Sequence, residues 1–120
     1  YTAAALASEN KSLAHPSSLD SIPSSGNVED HVSMGALAAV HCRQVLKNVA
    51  MIIAIELMSA CQAVDFRLQD LPNAMMGDGT SKAYELLRKH VPFFEADTWF
   101  QPYMLTLSDM VWDGEFSKLI

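Results

Sequence analysis

The chain has 120 residues, half of them apolar and 18% charged, a composition that fits one packed globular segment and excludes a disordered tail. Fourteen acidic residues against eight basic ones give a net charge of −6. No basic face is therefore available to neutralise phosphates, and neither nucleic acid nor an anionic membrane is expected as a partner.

Residues 2–11, TAAALASENK, open with Thr2 as a cap and an alanine-rich run of high helix propensity, which predicts a short helix. Residues 15–26, HPSSLDSIPSSG, carry two prolines, five serines and a glycine, too many turn formers for a regular element. Leu19 and Ile22 within it predict a loop pinned down by packing. Residues 30–67 contain no proline, and Val32, Leu37, Val40, Val45, Val49, Ile52, Ile53, Leu57, Cys61 and Val64 recur near helical spacing, which predicts one long helix. Its polar residues Arg43, Gln44, Lys47 and Asn48 cluster within two turns, whereas its second half is apolar nearly all round and should be enclosed on several sides. The most apolar run, VAMIIAI at 49–55, is closed by Lys47 and Glu56 and is short of the roughly 20 residues a membrane span needs. No basic region followed by an apolar run and a small-residue cleavage site opens the chain, so no secretory leader is expected.

Residues 71–80 read as a loop. SKAYELLRKHV at 81–91 reads as an amphipathic helix with Thr80 or Ser81 as cap and Pro92 as stop. PYMLTLSDMVW at 102–112 reads as another, with Pro102 in its first turn and Gly114 just beyond its end. The fold class is all-α, a long central helix with shorter helices, since no alternating run supports a sheet. Two short helices leave much of a long apolar helix uncovered, which implies partner segments. Cys42 and Cys61 stand 19 residues apart, ~28 Å on one helix and far beyond disulfide reach. Two free thiols point to a reducing, cytoplasmic setting, with both cysteines as core fillers.

Among polar candidates, Glu29 and Asp30 stand where the long helix is expected to begin, and the helix macrodipole by itself accounts for carboxylates there. His15, His31, His41 and His90 lack the spacing of a metal site, so no metal is expected. The glycines of GDG at 77–79 follow no strand and read as a plain turn. Glu56 interrupts the apolar turns of the long helix, where an unpaired carboxylate is costly, so a salt bridge or hydrogen-bonded network is expected in preference to catalysis. Ser8, Ser17, Ser18, Ser24 and Ser25 fall in no nucleophile motif and read as turn and capping residues. Trp99, Phe100 and Trp112 read as core anchors.

Taken together, TAAALASENKSLAHPSSLDSIPSSGNVEDHVSMG and AIELMSACQAVDFR resemble the C-terminal region of the histidine ammonia-lyases, and the likeness continues more loosely through AYELLRKHVPFF. The resemblance implies a larger helical-bundle lyase fold, assembled as a homotetramer with active sites built from more than one subunit. In that frame the chain divides into a short helix and active-site loop over 1–29, a long core helix over 30–67, and a loop with two short helices over 68–120. The family eliminates ammonia from L-histidine to give trans-urocanate, using a methylidene-imidazolone (MIO) electrophile formed from an internal Ala-Ser-Gly. This chain contains no Ala-Ser-Gly, so it forms no such group, and the isolated 120 residues are expected to be inactive.

The resemblance carries over one acidic residue. The Glu before Asp-His-Val-Ser-Met lines the substrate pocket in the histidine enzymes, and here it is Glu29. The related phenylalanine and tyrosine enzymes usually have glutamine there, so a carboxylate favours histidine, whose imidazole and ammonium both offer donors. Asn27, Asp30 and His31 are assigned to supporting the site, with Asp30 as the helix cap. The family commonly has glutamine where Val28 stands. Alternatives are a tyrosine or phenylalanine ammonia-lyase or aminomutase of the same family, or a non-catalytic helical association module.

Overall fold

The computed structural model describes residues 1–119. Four α-helices follow in order: α1 (Thr2–Leu13), α2 (Gly35–Asp70), α3 (Asp78–Arg88) and α4 (Gln101–Trp112). Short 3-10 turns cover Ser17–Asp20, Ser25–Asn27 and Phe116–Leu119. Among the described residues no strand forms, and the single β-type pairing is an isolated antiparallel bridge between Ser24 and Glu29. The chain divides into two compact units, Tyr1–Val49 and Ala50–Ile120, with the boundary inside α2 and not at the ends of that helix.

In the first unit, α1 starts without the expected Thr2 cap: Tyr1 takes that place with no side-chain hydrogen bond. Asn48 on α2 holds α1, because its Nδ2 donates to Glu9 Oε2 at 2.7 Å and to Asn10 Oδ1 at 2.8 Å. Gln44 Nε2 in turn donates to Asn48 Oδ1 at 2.9 Å. Asn48 is 4% exposed, so these bonds satisfy a buried amide that would otherwise be costly. Leu19 and Ile22, expected to pin the following loop by packing, are exposed. Hydrogen bonds to and from serine hydroxyls do that work instead.

The second unit contains an apolar core. Ala54, Met58 and Cys61 form one stripe of α2 and meet Leu87, Val91 and Leu107, the last two fully buried. Phe94, Phe100 and Tyr103 close the core in edge-to-face pairs with centroids 5.0 and 5.2 Å apart. Gln62 ties down the chain after α3: its Nε2 donates to the Phe94 carbonyl at 2.9 Å, and the Phe94 N–H donates to its Oε1 at 3.2 Å. Asp65 receives bonds from Tyr84 Oη and from the Arg88 guanidinium, and Arg88 also caps the Val91 and Pro92 carbonyls at 3.0 and 2.8 Å.

Several expectations change. The long helix runs from Gly35 to Asp70 and not over 30–67. The third helix begins at Asp78, with Gly77 as N-cap in place of Thr80 or Ser81 and the Asp78 carboxylate in the favourable first turn. It ends at Arg88, three residues short of 91, because Pro92 disfavours helical geometry at Val91. Pro102 does sit in the first turn of α4. Gly114 (φ 70°) ends that helix, with Glu115 N–H bonding the Met110 carbonyl and Gly114 N–H that of Val111. Trp99 and Trp112 are exposed and Phe100 alone of the three packs on the core. Glu56 is exposed in place of the buried, paired carboxylate expected of it. Cys61 is buried as a core filler, but Cys42 is exposed. The enclosure predicted for the second half of α2 is one-sided, leaving Ile53 and Phe66 exposed. Finally, α2 contains an 18-residue window of mean hydropathy 1.7, long and apolar enough by length and composition to cross a membrane. Counting residues 49–55 alone understates it, because beyond Glu56 the residues Leu57, Met58, Ala60, Cys61, Ala63 and Val64 carry the apolar run onward.

Candidate functional site

Residues 24–29 form a tight turn that presents Glu29. Ser24 and Glu29 exchange backbone bonds, Ser24 N–H to the Glu29 carbonyl at 2.8 Å and Glu29 N–H to the Ser24 carbonyl at 3.3 Å. Between them Ser25 (φ 51°), Gly26 (φ 65°) and Asn27 (φ 70°) are all left-handed. Glycine adopts that conformation freely and asparagine tolerates it, whereas for Ser25 it costs ~1–2 kcal/mol. Such strain persists only where the surroundings over-determine it. Here the over-determination is visible: Asn27 N–H bonds the Ser24 carbonyl at 3.0 Å, and Ser24 Oγ donates to Glu29 Oε2 at 3.2 Å.

The strand-like passage from Glu29 into α2 is fixed from the other side of the loop. The Val32 N–H donates to Ser21 Oγ at 2.6 Å, and Ser18 Oγ donates to the Ser33 carbonyl at 2.5 Å. Met34 (φ 51°) makes the last left-handed step, and its carbonyl accepts the first helical bond, from Ala38 N–H at 3.1 Å. Serines read from sequence as generic turn formers are thus specific clamps. Their common signal was spacing: Ser18, Ser21 and Ser24 recur every three residues opposite Ser33, Val32 and Glu29.

Glu29, Asp30 and His31 are all exposed in this chain. Because α2 begins at Gly35, neither carboxylate lies in its first turn. The macrodipole explanation for Glu29 and Asp30 therefore fails, and Asp30 does not cap the helix. Asn27 supports the turn through its backbone conformation. His15, elsewhere on the same loop, pairs its Nε2 with Asp20 Oδ2 at 2.9 Å. Among the described residues no group of three or more histidines, cysteines or carboxylates is arranged to hold a metal.

Depressions in the surface offer further candidates. In the first unit a cavity of about 260 Å³ is lined by residues that include His15, Ser17, His41 and Cys42, and His41 Nδ1 is buried there without a hydrogen-bond partner. In the second, a groove of about 540 Å³ runs beside Met58, Gln62, Phe66, Phe94 and Phe100, with Glu95 and Asp97 among its lining. The larger groove has apolar walls suited to packing. The 24–29 turn is the better candidate for chemistry, since among the described residues it alone couples a carboxylate to locally strained backbone.

An all-helical chain with one very long helix matches a known class. Residues 1–89 match the family model described as aromatic amino acid lyase, and the chain belongs to that family. It is 52% identical over 118 residues to histidine ammonia-lyase of Chloroflexus aurantiacus, an alignment covering 98% of this chain and 23% of that protein. Among solved structures, histidine ammonia-lyase from Trypanosoma cruzi superposes with a TM-score of 0.87 at 39% identity, over 98% of this chain and 23% of that one. Tyrosine aminomutase from Streptomyces globisporus superposes at 0.91 with 34% identity, over all of this chain and 22% of that one. The chain thus spans about a fifth of the length of the relatives it matches.

Proposed function

We propose that this chain is the C-terminal part of a histidine ammonia-lyase, and that Glu29 is its contribution to the substrate pocket. The observation that carries the reading is the 24–29 turn: a carboxylate held by paired backbone bonds and a serine hydroxyl, in a family that includes a histidine ammonia-lyase 52% identical to this chain. The elimination removes a proton from Cβ and ammonia from Cα of L-histidine, leaving trans-urocanate. Glu29 accepts a hydrogen bond from the imidazole or the ammonium of the substrate, and so orients the amino acid. With water excluded by neighbouring segments, the same carboxylate gains in strength as an acceptor or proton acceptor.

The family's methylidene-imidazolone arises from Ala-Ser-Gly, which these residues do not contain. They do not fit the formation of that group, and no step of the chemistry proposed here passes through it. The remainder of the lyase and its homo-oligomer subunits are the proposed partners, and they supply the cover for α2, which we read as a core helix and not a membrane span. Thiols on α2 too far apart to pair support a cytoplasmic setting.

The test is Glu29→Gln in the intact lyase. Loss of a charge-assisted contact in the pocket is expected to lower turnover of L-histidine by about 100-fold or more. Turnover within a few-fold of wild type would return Glu29 to a structural role and favour a helical association module. A second reading, a tyrosine or phenylalanine ammonia-lyase or aminomutase, is favoured by the close superposition on tyrosine aminomutase. Turnover of tyrosine by the intact enzyme with no urocanate from histidine would select it.

A further inference from the structure

We infer that Ser24 is a positioning residue for Glu29, setting the direction in which the carboxylate meets the substrate. The inference rests on the pocket role of Glu29 above. Glu29 is exposed and carries three rotatable side-chain bonds, so an unpartnered carboxylate there would spread over several rotamers. The turn limits that spread at both ends of the residue. Its backbone is locked by the reciprocal bonds with Ser24, at 2.8 and 3.3 Å, and its Oε2 receives the Ser24 hydroxyl at 3.2 Å. One residue thus holds main chain and side chain together, and the bond to Oε2 leaves Oε1 wholly free to accept from a substrate.

The surrounding geometry keeps Ser24 where it can do this. The three left-handed residues after it reverse the chain within the shortest span that brings positions 24 and 29 opposite one another. The Ser18 and Ser21 bonds to Ser33 and Val32 prevent the two arms of the loop from sliding past each other. A hydroxyl is required at 24 and its methyl homologue is tolerated, since the backbone bonds are independent of the side chain and Thr retains the donor.

The experiment is a double-mutant cycle in the intact lyase, with Ser24→Ala and Ser24→Thr each made in the wild-type and E29Q backgrounds. S24A is expected to lower kcat/KM for L-histidine by about tenfold, chiefly through kcat, as loss of one hydrogen bond to a charged group allows. S24T is expected within about threefold of wild type, with thermal midpoints unchanged to about 2 °C. In the E29Q background S24A should have no further effect. An equal loss from S24A in both backgrounds, a loss that tracks a fall in thermal midpoint, or an S24T as slow as S24A would assign Ser24 to the fold alone and overturn the inference while the Glu29 reading stands. An E29Q enzyme close to wild type would remove both together.

Discussion

Arg88 and Asp65 are each 15% exposed at the side chain and are paired, and each has further partners: Tyr84 Oη donates to Asp65, and Arg88 reaches two backbone carbonyls. Arg88→Ala is therefore expected to destabilise by about 3 kcal/mol, less for residual solvent access, because Asp65 keeps its charge and loses its counter-ion. A fall of several degrees in thermal midpoint, with a smaller fall for Arg88→Lys, checks this. Cys61 lies in the same neighbourhood. Burial pushes its thiol above the ordinary value of 9.0, with Arg88 opposing the shift. The folded state thus holds the proton more tightly than the unfolded chain, so this contribution is complete below pH 9.0 and is lost as pH rises through the folded value. Thermal midpoints followed upward from pH 9.0 should fall less steeply for Cys61→Ala than for wild type. None of this network was legible in sequence. Attention falls on Glu56 because it interrupts an apolar run, yet helical rotation turns Glu56 outward and Asp65 toward α3.

Helices as elements were largely readable, and their ends were readable only where the signal is local. Apolar recurrence at three and four residues carries through α2 whatever surrounds it, whereas its start depends on Met34 and the serine clamps, which local propensity does not encode. At the end of α4, by contrast, Gly114 is a purely local signal for a left-handed residue, and Gly114→Ala is expected to cost ~1 kcal/mol. Between elements, Asn48 is the tie of α1 to α2. Asn48→Ala is expected to cost about 1–3 kcal/mol by leaving Glu9 and Asn10 without their donor. Limited proteolysis should then cut within α1 first, before any site in α3 or α4. Uniform cutting across the chain would show that α1 is held by other contacts.

At the scale of the whole molecule, the two units differ in what holds them. The second has a core, and Leu107→Ala, at a fully buried position, should cost about 3 kcal/mol. In the first, Leu19, Ile22, Val28, Leu37, Val40 and Leu46 are all exposed, and polar clamps take the place of apolar burial. A protein surface of that kind is expected to be covered. The isolated chain should therefore show a concentration-dependent size in sedimentation, reduced by Val40→Glu, and a compact monomer at all concentrations would contradict the expectation. Residue types and their spacing determined, without coordinates, the helical class and the family likeness, because periodicity and motif order are properties of the chain itself. Tertiary structure alone decided that Glu29 stands outside the helix on a strained turn, that the Ser24 hydroxyl bonds its carboxylate, and that Asp65, Gln62 and Asn48 are the polar ties. Those outcomes depend on which groups meet once the chain has folded, from five residues apart for Ser24 and Glu29 to 38 for Asn48 and Asn10, and local propensity carries no record of such meetings.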